Sequence, residues 1–219
     1  MSAARKANTP TLTRDQIVSA AIAVVDREGL EALSMRKLAA ELGVGPMSLY
    51  YHVPDKSALY DLILDAIMGE ADLSGDDPSE PVGDRLVRIA YSLRDALLTH
   101  PHAATLAMSR SLRTPEQLRP VEAMLGIMFD AGLSPADSIA AVDVIGQFTF
   151  GTTMAYASHL TDSEYHDDER DADLSAITPD AFPNISRLLA ETEYRGWDAE
   201  FDEGVRALVK GLVLDRLKP

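Results

Sequence analysis

The sequence predicts an all-α protein. Apolar residues recur every three to four positions along most of its 219 residues, and Ser, Thr or Asp stands just before several of these stretches. One segment, Phe148-Thr-Phe-Gly-Thr, alternates like a β-strand, but its flanks are helical and no partner strand is evident. That segment is therefore assigned to a helix. We expect a small N-terminal domain of short helices followed by a larger helical domain.

The first predicted helix is the longest of the N-terminal group. Thr13-Arg-Asp-Gln has the form of a capping box, in which a hydroxyl at the cap and a Gln three residues later satisfy free backbone N–H groups. Apolar residues then follow at helical spacing until Gly29, where the helix should end. Ser34 is the expected cap of a second, shorter helix that contains Leu38 and Leu42.

A tight turn and a third short helix follow. Gly43-Val44-Gly45 predicts the turn, and Pro46 suits a first helical position because the N–H that it lacks has no partner there. This helix should end near His52. Asp55 is the expected cap of a fourth helix.

The remainder of the chain predicts longer helices after a polar break. Ser74 to Pro81 is rich in residues that interrupt helices, and Thr114-Pro and Ser134-Pro are two further start signals. A last helix carries Phe201 to Leu212. The predicted organisation is a disordered tail over 1–11, an N-terminal helical domain over 12–72, a linker over 73–81 and a larger helical domain over 82–219.

The charge of the chain is uneven. Twenty Lys and Arg against 35 Asp and Glu give a net charge of −15, which for the whole chain argues against binding to a polyanion. Residues 1–56, however, hold seven basic and six acidic side chains, so this part carries +1 and the remainder −16. The excess acid therefore does not exclude a nucleic-acid partner for the N-terminal domain.

Composition excludes several other classes. The chain contains no cysteine, which removes disulfides and thiolate chemistry and suits a cytoplasmic protein. The N-terminus has no apolar stretch of the kind that a signal peptide needs, and the longest apolar region, Ile139 to Ala157, is interrupted by Asp143 and Gln147. We expect no membrane partner, no metal site and no cofactor.

Two short helices joined by a glycine turn indicate a helix-turn-helix motif, whose second helix enters the major groove of DNA. Val44, Leu49 and Val53 can anchor that helix from inside. Lysine or arginine at the start of a helix can contact a DNA phosphate. Arg36 and Lys37, before the turn, and Lys56, after it, occupy such positions. The residues that can face outward on the third helix are Met47, Ser48, Tyr51 and His52, with Tyr50 beside them.

These residues also carry a resemblance. The stretch LSMRKLAAELGVGPMSLYYHVPDKSAL resembles the DNA-binding domain of the tetracycline repressor (TetR) family, and Leu-Tyr-Tyr-His-Val followed by Asp-Lys is its most specific part. The likeness continues beyond that domain, since DALLTHPHAATL, SRSLRTPEQ, FDAGLSPADSI and IGQFTFG resemble the C-terminal half of the tetracycline repressors proper. It covers most of the chain, and is strongest in the first third.

The resemblance implies a ligand-responsive regulator of transcription, usually a repressor. Two subunits would bind a palindromic operator, pair through the last two long helices, about 134–159 and 198–217, and leave the DNA when a small molecule binds. By position, the DNA contacts implied are Arg36, Pro46, Met47, Ser48, Tyr50, Tyr51, His52 and Lys56.

The chain departs from the tetracycline repressors where they bind their drug and its metal. Met108, Gln147 and Ala155 stand where those proteins have two histidines and a glutamate, and Ile89 and Leu93 replace an amide and a phenylalanine. We therefore expect an effector other than a magnesium–tetracycline complex, and a less polar one. The candidate effector-binding residues are Ile89, Leu93, Met108, Leu112, Met124, Met128 and Gln147.

Plainer interpretations remain for some of these residues. The tyrosines and His52 could form a packed turn, and the methionines could simply fill a core. His100 and His102 could suggest a metal, but two histidines around a proline lack the helical i, i+4 spacing of known sites. Asp143 and Gln147 share one face of an otherwise apolar helix, so their partners are either a ligand or a second subunit.

Segments outside the predicted helices have alternatives too. We expect the acidic stretch 162–178 to be a solvated loop. Its acidic residues could suggest calcium binding, but they lack the spacing of a calcium-binding loop. Arg5 and Lys6 belong either to an arm that touches DNA or to an unbound tail.

Two other classes of function compete with a regulator. The first is an enzyme that uses an apolar pocket, although no nucleophile–base pair, phosphate-binding glycine loop or pair of catalytic carboxylates is readable. The second is a small-molecule sensor or carrier with a vestigial DNA-binding domain.

Overall fold

The computed structural model describes residues 12–161, 177–193 and 195–217. The tail over 1–11 and most of the predicted acidic loop lie outside these residues. The described residues form ten α-helices, which confirms the all-α prediction. Their bounds are α1 Arg14–Glu28, α2 Met35–Glu41, α3 Pro46–His52, α4 Lys56–Gly69, α5 Val82–Thr99, α6 Thr105–Ser109, α7 Pro115–Asp130, α8 Pro135–Thr161, α9 Pro183–Glu191 and α10 Trp197–Leu212.

The predicted caps begin the helices where the sequence places them. The Thr13 hydroxyl accepts a hydrogen bond from the Gln16 backbone N–H, while the Gln16 side chain accepts one from the Thr13 N–H. Thr114 and Gln117 repeat this arrangement before α7. Each box satisfies backbone donors that would otherwise lack partners in the first turn.

Helices α5, α8 and α10 form the centre of the larger domain and pack against each other. Phe201 and Val205 of α10 are buried there, as are Leu86 and Leu97 of α5. The segment Phe148-Thr-Phe-Gly-Thr lies within α8, as predicted. The three helices thus build the packed centre against which α4, α6 and α7 lie.

The N-terminal helices share this core. α1 packs against α2 and α4, and α4 in turn contacts α5 and α7. Ile63 and Ile67 of α4 are fully buried. The buried apolar residues of both parts form one continuous cluster, so α4 connects the N-terminal helices to the body.

The sequence patterns predict no helix at α6 or α9. α6 is only five residues long, too short to show a period. α9 begins with Pro183 and carries Ile185, Leu188 and Leu189, all exposed. Pro183 at the first turn is the signal that could have located it.

Across the described ranges, none of the helices has both the length and the apolar character needed to cross a membrane.

Candidate nucleic-acid interface and effector cavity

The turn between α2 and α3 depends on one glycine. Gly43 has a φ of 65°, in the left-handed region that residues with a Cβ rarely adopt. The Val44 N–H then donates to the Ala39 oxygen at 3.0 Å, which closes the turn. α3 follows at a fixed angle to α2, and this angle determines which of its side chains face outward.

α3 is anchored from inside and exposed outside. Leu49 and Val53 are fully buried, as predicted for its anchors, whereas Val44, the third predicted anchor, is only partly buried. Met47 and Tyr51, four residues apart, are 79% and 87% exposed, so they occupy one outward face of the helix. Tyr50 is 44% exposed beside them. A helix that displays large apolar side chains to solvent is typical of a recognition surface.

The remaining predicted DNA contacts surround this face. Pro46 and Ser48 are exposed, and His52 is half-buried. The His52 ring meets Tyr51 edge to face, with centroids 5.2 Å apart. Lys56 lies at the first position of α4, with its ammonium 5.2 Å from the centre of the Tyr60 ring. The structure therefore brings these side chains together at one end of the N-terminal helices.

Arg36 and Lys37, adjacent in sequence, have different surroundings. The Lys37 ammonium is paired with the Glu28 carboxylate. This hydrogen bond, with a second from Arg27, lowers the pKa of Glu28. Arg36 is exposed and has no hydrogen bond or ion pair to any residue that the structure describes. Its guanidinium is thus available to an external anion.

A cavity of about 170 Å³ lies in the body between α4, α5, α7 and α8. Four of the sequence-predicted ligand residues line it, namely Leu93, Leu112, Met124 and Gln147. Asp143 also lines it, one helical turn from Gln147. The other lining residues are mostly apolar: Met68, Gln117, Pro120, Val121, Val142, Gly146 and Phe150.

Three of the predicted ligand residues lie elsewhere. Met108 is 47% exposed and is not part of the cavity wall. Met128 is fully buried in the core. Ile89 lines a neighbouring, more polar depression together with Arg85 and other charged residues. Residue type and helical spacing gave no signal that separates these three from Met124 and Leu93.

The start of α7, beside the cavity, forms polar contacts with α4 that no sequence pattern predicts. Thr114 hydrogen-bonds the Asp65 carboxylate through its hydroxyl. Gln117, which lines the cavity, approaches the Asp61 carbonyl oxygen through Nε2 at 3.4 Å. The wall of the cavity and the helix that carries Lys56 are therefore in direct contact.

His100 lies at the junction of the N-terminal helices and the body. Its Nδ1 is 2.8 Å from Asp26 Oδ2, and its Nε2 is 3.3 Å from Glu70 Oε2. Among the residues that the structure describes, no three His, Cys, Asp or Glu side chains form a group that could hold a metal ion.

Comparison with known proteins identifies the family. Residues 17–63 match the model for bacterial regulatory proteins of the tetR family, and residues 75–215 match the tetracyclin repressor-like C-terminal domain. The chain belongs to the TetR family. It is therefore a DNA-binding transcriptional regulator that responds to a ligand.

Relatives of this TetR-family regulator align over nearly its whole length. An HTH-type transcriptional regulator of Saccharopolyspora erythraea is 36% identical over 93% of this chain and 85% of its own. The HTH-type transcriptional repressor DrrR1 of Streptomyces coeruleorubidus is 31% identical over 93% of this chain and 78% of its own. These relatives are named as regulators of transcription.

A solved structure has the same architecture. ActR of Streptomyces coelicolor, crystallised with actinorhodin, superimposes with a TM-score of 0.81 at 28% identity, covering 93% of this chain and 96% of that one. The family and fold inferred from the sequence are confirmed.

Proposed function

We propose that the chain is a repressor that binds palindromic operator DNA as a homodimer and leaves it when a small molecule enters the cavity beside α4. The observation that carries the DNA-binding half is α3, where buried Leu49 and Val53 hold exposed Met47 and Tyr51 outward next to Lys56. The repressor DrrR1 among the relatives supports repression. Such a regulator would act in the cytoplasm, where bacterial DNA lies.

The proposed DNA contacts are the residues gathered around α3. Pro46, Met47 and Ser48 lie at its start, and the tyrosines with His52 lie at its end. Arg36 and Lys56 supply positive charge on either side for the phosphates. Lys37 is adjacent to Arg36, but its ammonium is paired with the Glu28 carboxylate. We therefore propose that Lys37 contributes least to DNA binding among the proposed contact residues.

Homodimer formation is proposed through α8 and α10. These helices pack against each other within the chain, yet both keep a face of small side chains exposed. Val144 is 40% exposed on α8, and Ala140 and Ala155 are exposed at positions that share its face; Ala207 and Gly211 are exposed on α10. Small residues allow two copies to approach closely, which suits a four-helix interface. In a dimer, two α3 helices about 34–36 Å apart would match half-sites one turn apart.

The effector is proposed to be a largely apolar molecule. The cavity of about 170 Å³ is close in size to an engineered cavity that holds benzene, so it accepts one ring. Asp143 and Gln147 line the cavity and are also exposed, so they can hydrogen-bond to a larger molecule that extends outward. ActR was crystallised with actinorhodin, which makes that compound a reasonable first probe.

A magnesium–tetracycline complex does not fit. Magnesium prefers a rigid set of oxygen ligands. At the positions where tetracycline repressors hold the metal and drug, this chain has Met108, Gln147 and Ala155, of which only Gln147 lines the cavity.

Release of DNA requires an effector that binds better to a conformation whose two α3 helices no longer match the operator. Gln117 and Met68 provide the connection, because both line the cavity and Met68 is part of α4. A ligand that displaces them would move α4, and with it Lys56.

The test of DNA binding starts from genomic fragments. We expect the protein to retain particular fragments against competitor DNA, with affinity that falls steeply as salt rises. Tyr50→Ala and Lys56→Ala should abolish this retention while the melting temperature changes little. Tight binding of the same fragments by both variants would refute the site. Turnover of a small molecule by the purified protein would instead favour an enzyme.

Two further measurements test the dimer and the effector. Val144→Asp should sediment as a monomer and lose operator binding, whereas a dimeric variant would contradict the proposed interface. In thermal-shift titrations, actinorhodin should raise the melting temperature without added metal. A saturable rise with tetracycline that requires Mg²⁺ would overturn the effector assignment.

A further inference from the structure

We infer that α3 recognises its half-site mainly through the C5-methyl groups of thymine. This inference rests on the proposed function and specifies which operator that function would use. It concerns the base pairs that face Met47 and Tyr51, the two most exposed large apolar side chains of the described residues.

α3 lacks the side chains that most often hydrogen-bond specifically to base edges in the major groove. Its seven residues are Pro-Met-Ser-Leu-Tyr-Tyr-His, which include no arginine, lysine, asparagine, glutamine, aspartate or glutamate. In the major groove, guanine is read by Arg or Lys, adenine by Asn or Gln, and cytosine by Asp or Glu. Thymine alone offers an apolar methyl group. The Ser48 hydroxyl can pair with several bases and therefore selects little.

The geometry keeps the two apolar side chains pointed outward. Leu49 and Val53 are fully buried, which fixes the rotation of α3 and prevents Met47 and Tyr51 from turning into the core. The His52 ring lies edge to face against Tyr51 and supports its position. Met47 is unbranched and flexible, so it can adapt to a methyl group on either strand.

Burial of these side chains would also favour binding. Both are 79% exposed or more in the free protein. Removing such apolar surface from water lowers the free energy, so a complex that covers these side chains is favoured. Thymine methyl groups are the apolar surface that the major groove provides. Arg36 lies outside α3, on α2, and can contact guanine or phosphate at the edge of the half-site without changing this prediction.

The experiment begins with a selection of duplexes from a random pool by the full-length protein. The recovered operator is then synthesised again with deoxyuridine in place of thymidine, one position at a time, which removes only the methyl group. We expect at least two substitutions per half-site to weaken binding about fourfold each, which corresponds to roughly 0.8 kcal/mol per methyl.

Variants connect each methyl group to a side chain. Met47→Ala should remove the sensitivity to deoxyuridine at one position, and Tyr51→Ala at another. Tyr51→Phe should keep both the affinity and the sensitivity, because the ring supplies the contact. Leu118→Ala, a matched change of an exposed apolar residue on α7, should leave every uracil effect unchanged.

The outcomes separate this inference from the proposed function. If the selection enriches no duplex, the proposed function fails and the inference with it. If an operator is enriched but binds equally well with uracil, or if the uracil effects persist in Met47→Ala and Tyr51→Ala, the inference alone is overturned.

Discussion

Arg110 is fastened to Ser57 by two hydrogen bonds. Its Nη2 donates to the Ser57 carbonyl oxygen at 2.9 Å and to the Ser57 hydroxyl oxygen at 2.7 Å. Its Nε is paired with the Asp61 carboxylate, and this hydrogen bond raises the pKa of Arg110 above its ordinary value. The loop before α7 thus holds the first turn of α4, next to Lys56.

This attachment leads to a prediction about α4. We expect Arg110→Ala to destabilise the protein by about 1–2 kcal/mol, because Asp61 loses a charged partner. Operator affinity should also fall severalfold, since the first turn of α4 would no longer hold Lys56 in place. Denaturant titration and operator binding measure the two effects. Slower or unchanged hydrogen exchange at the α4 amides 57–61 in this variant would contradict the proposed role.

Arg36 and Lys37 provide a matched pair. When the logarithm of the operator-binding constant is plotted against the logarithm of the salt concentration, Arg36→Ala should reduce the steepness of the slope by about 0.9. This is the value for one lost phosphate contact. Lys37→Ala should change that slope much less, because the Lys37 ammonium is engaged by Glu28. Operator titrations at several salt concentrations distinguish the two variants. Equal effects would show that Lys37 leaves Glu28 to reach the DNA.

Gly204 is required by the packing of α8 on α10. A Cβ at this position would lie 2.8 Å from Cε2 of Phe148, too close for a packed contact. We expect Gly204→Ala to destabilise the protein by about 1–2 kcal/mol, since overpacking outweighs the gain in helix propensity. Gly126→Ala is the control, because nothing lies within 4 Å of its Cβ. That variant should gain up to about 1 kcal/mol, so a loss equal to that of Gly204→Ala would refute the packing argument.

The ion pair between Asp76 and Arg85 should make the stability of the folded protein depend on pH. Arg85 is buried and donates from Nε and Nη2 to the two Asp76 oxygens, each at 2.7 Å. These hydrogen bonds lower the pKa of Asp76. A lowered pKa in the folded state stabilises the protein above the pKa of the unfolded state, and the contribution is lost as the pH falls through the folded value.

The corresponding variant is Asp76→Asn. Because Asp76 is 42% exposed, we expect it to lower stability by only about 0.5–1 kcal/mol at pH 7. The difference from the original chain should begin to shrink below about pH 4, where Asp76 becomes protonated in the unfolded state, and should vanish as the pH falls through the lower pKa of the folded state. Urea titrations at pH 7 and pH 3 measure this, with Glu122→Gln, a change of an exposed carboxylate on α7, as control. A constant difference at both pH values would exclude the ion pair as its cause.

The sequence by itself located eight of the ten described helices, all except α6 and α9, and predicted that Met47 and Tyr51 face outward on α3. Capping boxes, Pro at a first helical turn and the glycine turn are signals within a few residues, and helix formation depends on such local chemistry. Thr13, Gly43, Pro46 and Asp55 therefore located α1, α3 and α4 closely. Burial of Leu49 followed from helical spacing, which decides the side chains that share a face, and Val53 is buried directly after the end of α3.

Only the tertiary structure decided which partners those side chains have. Glu28 engages Lys37 from nine residues away, and Ser57 receives Arg110 from 53 residues away. No local pattern encodes either pairing. The same holds for the cavity, which includes Met124 and leaves Met108 exposed although both are methionines in the same domain. A pocket is the space that several helices leave between them, so its lining is set by how α4, α5, α7 and α8 pack rather than by the period of any one of them.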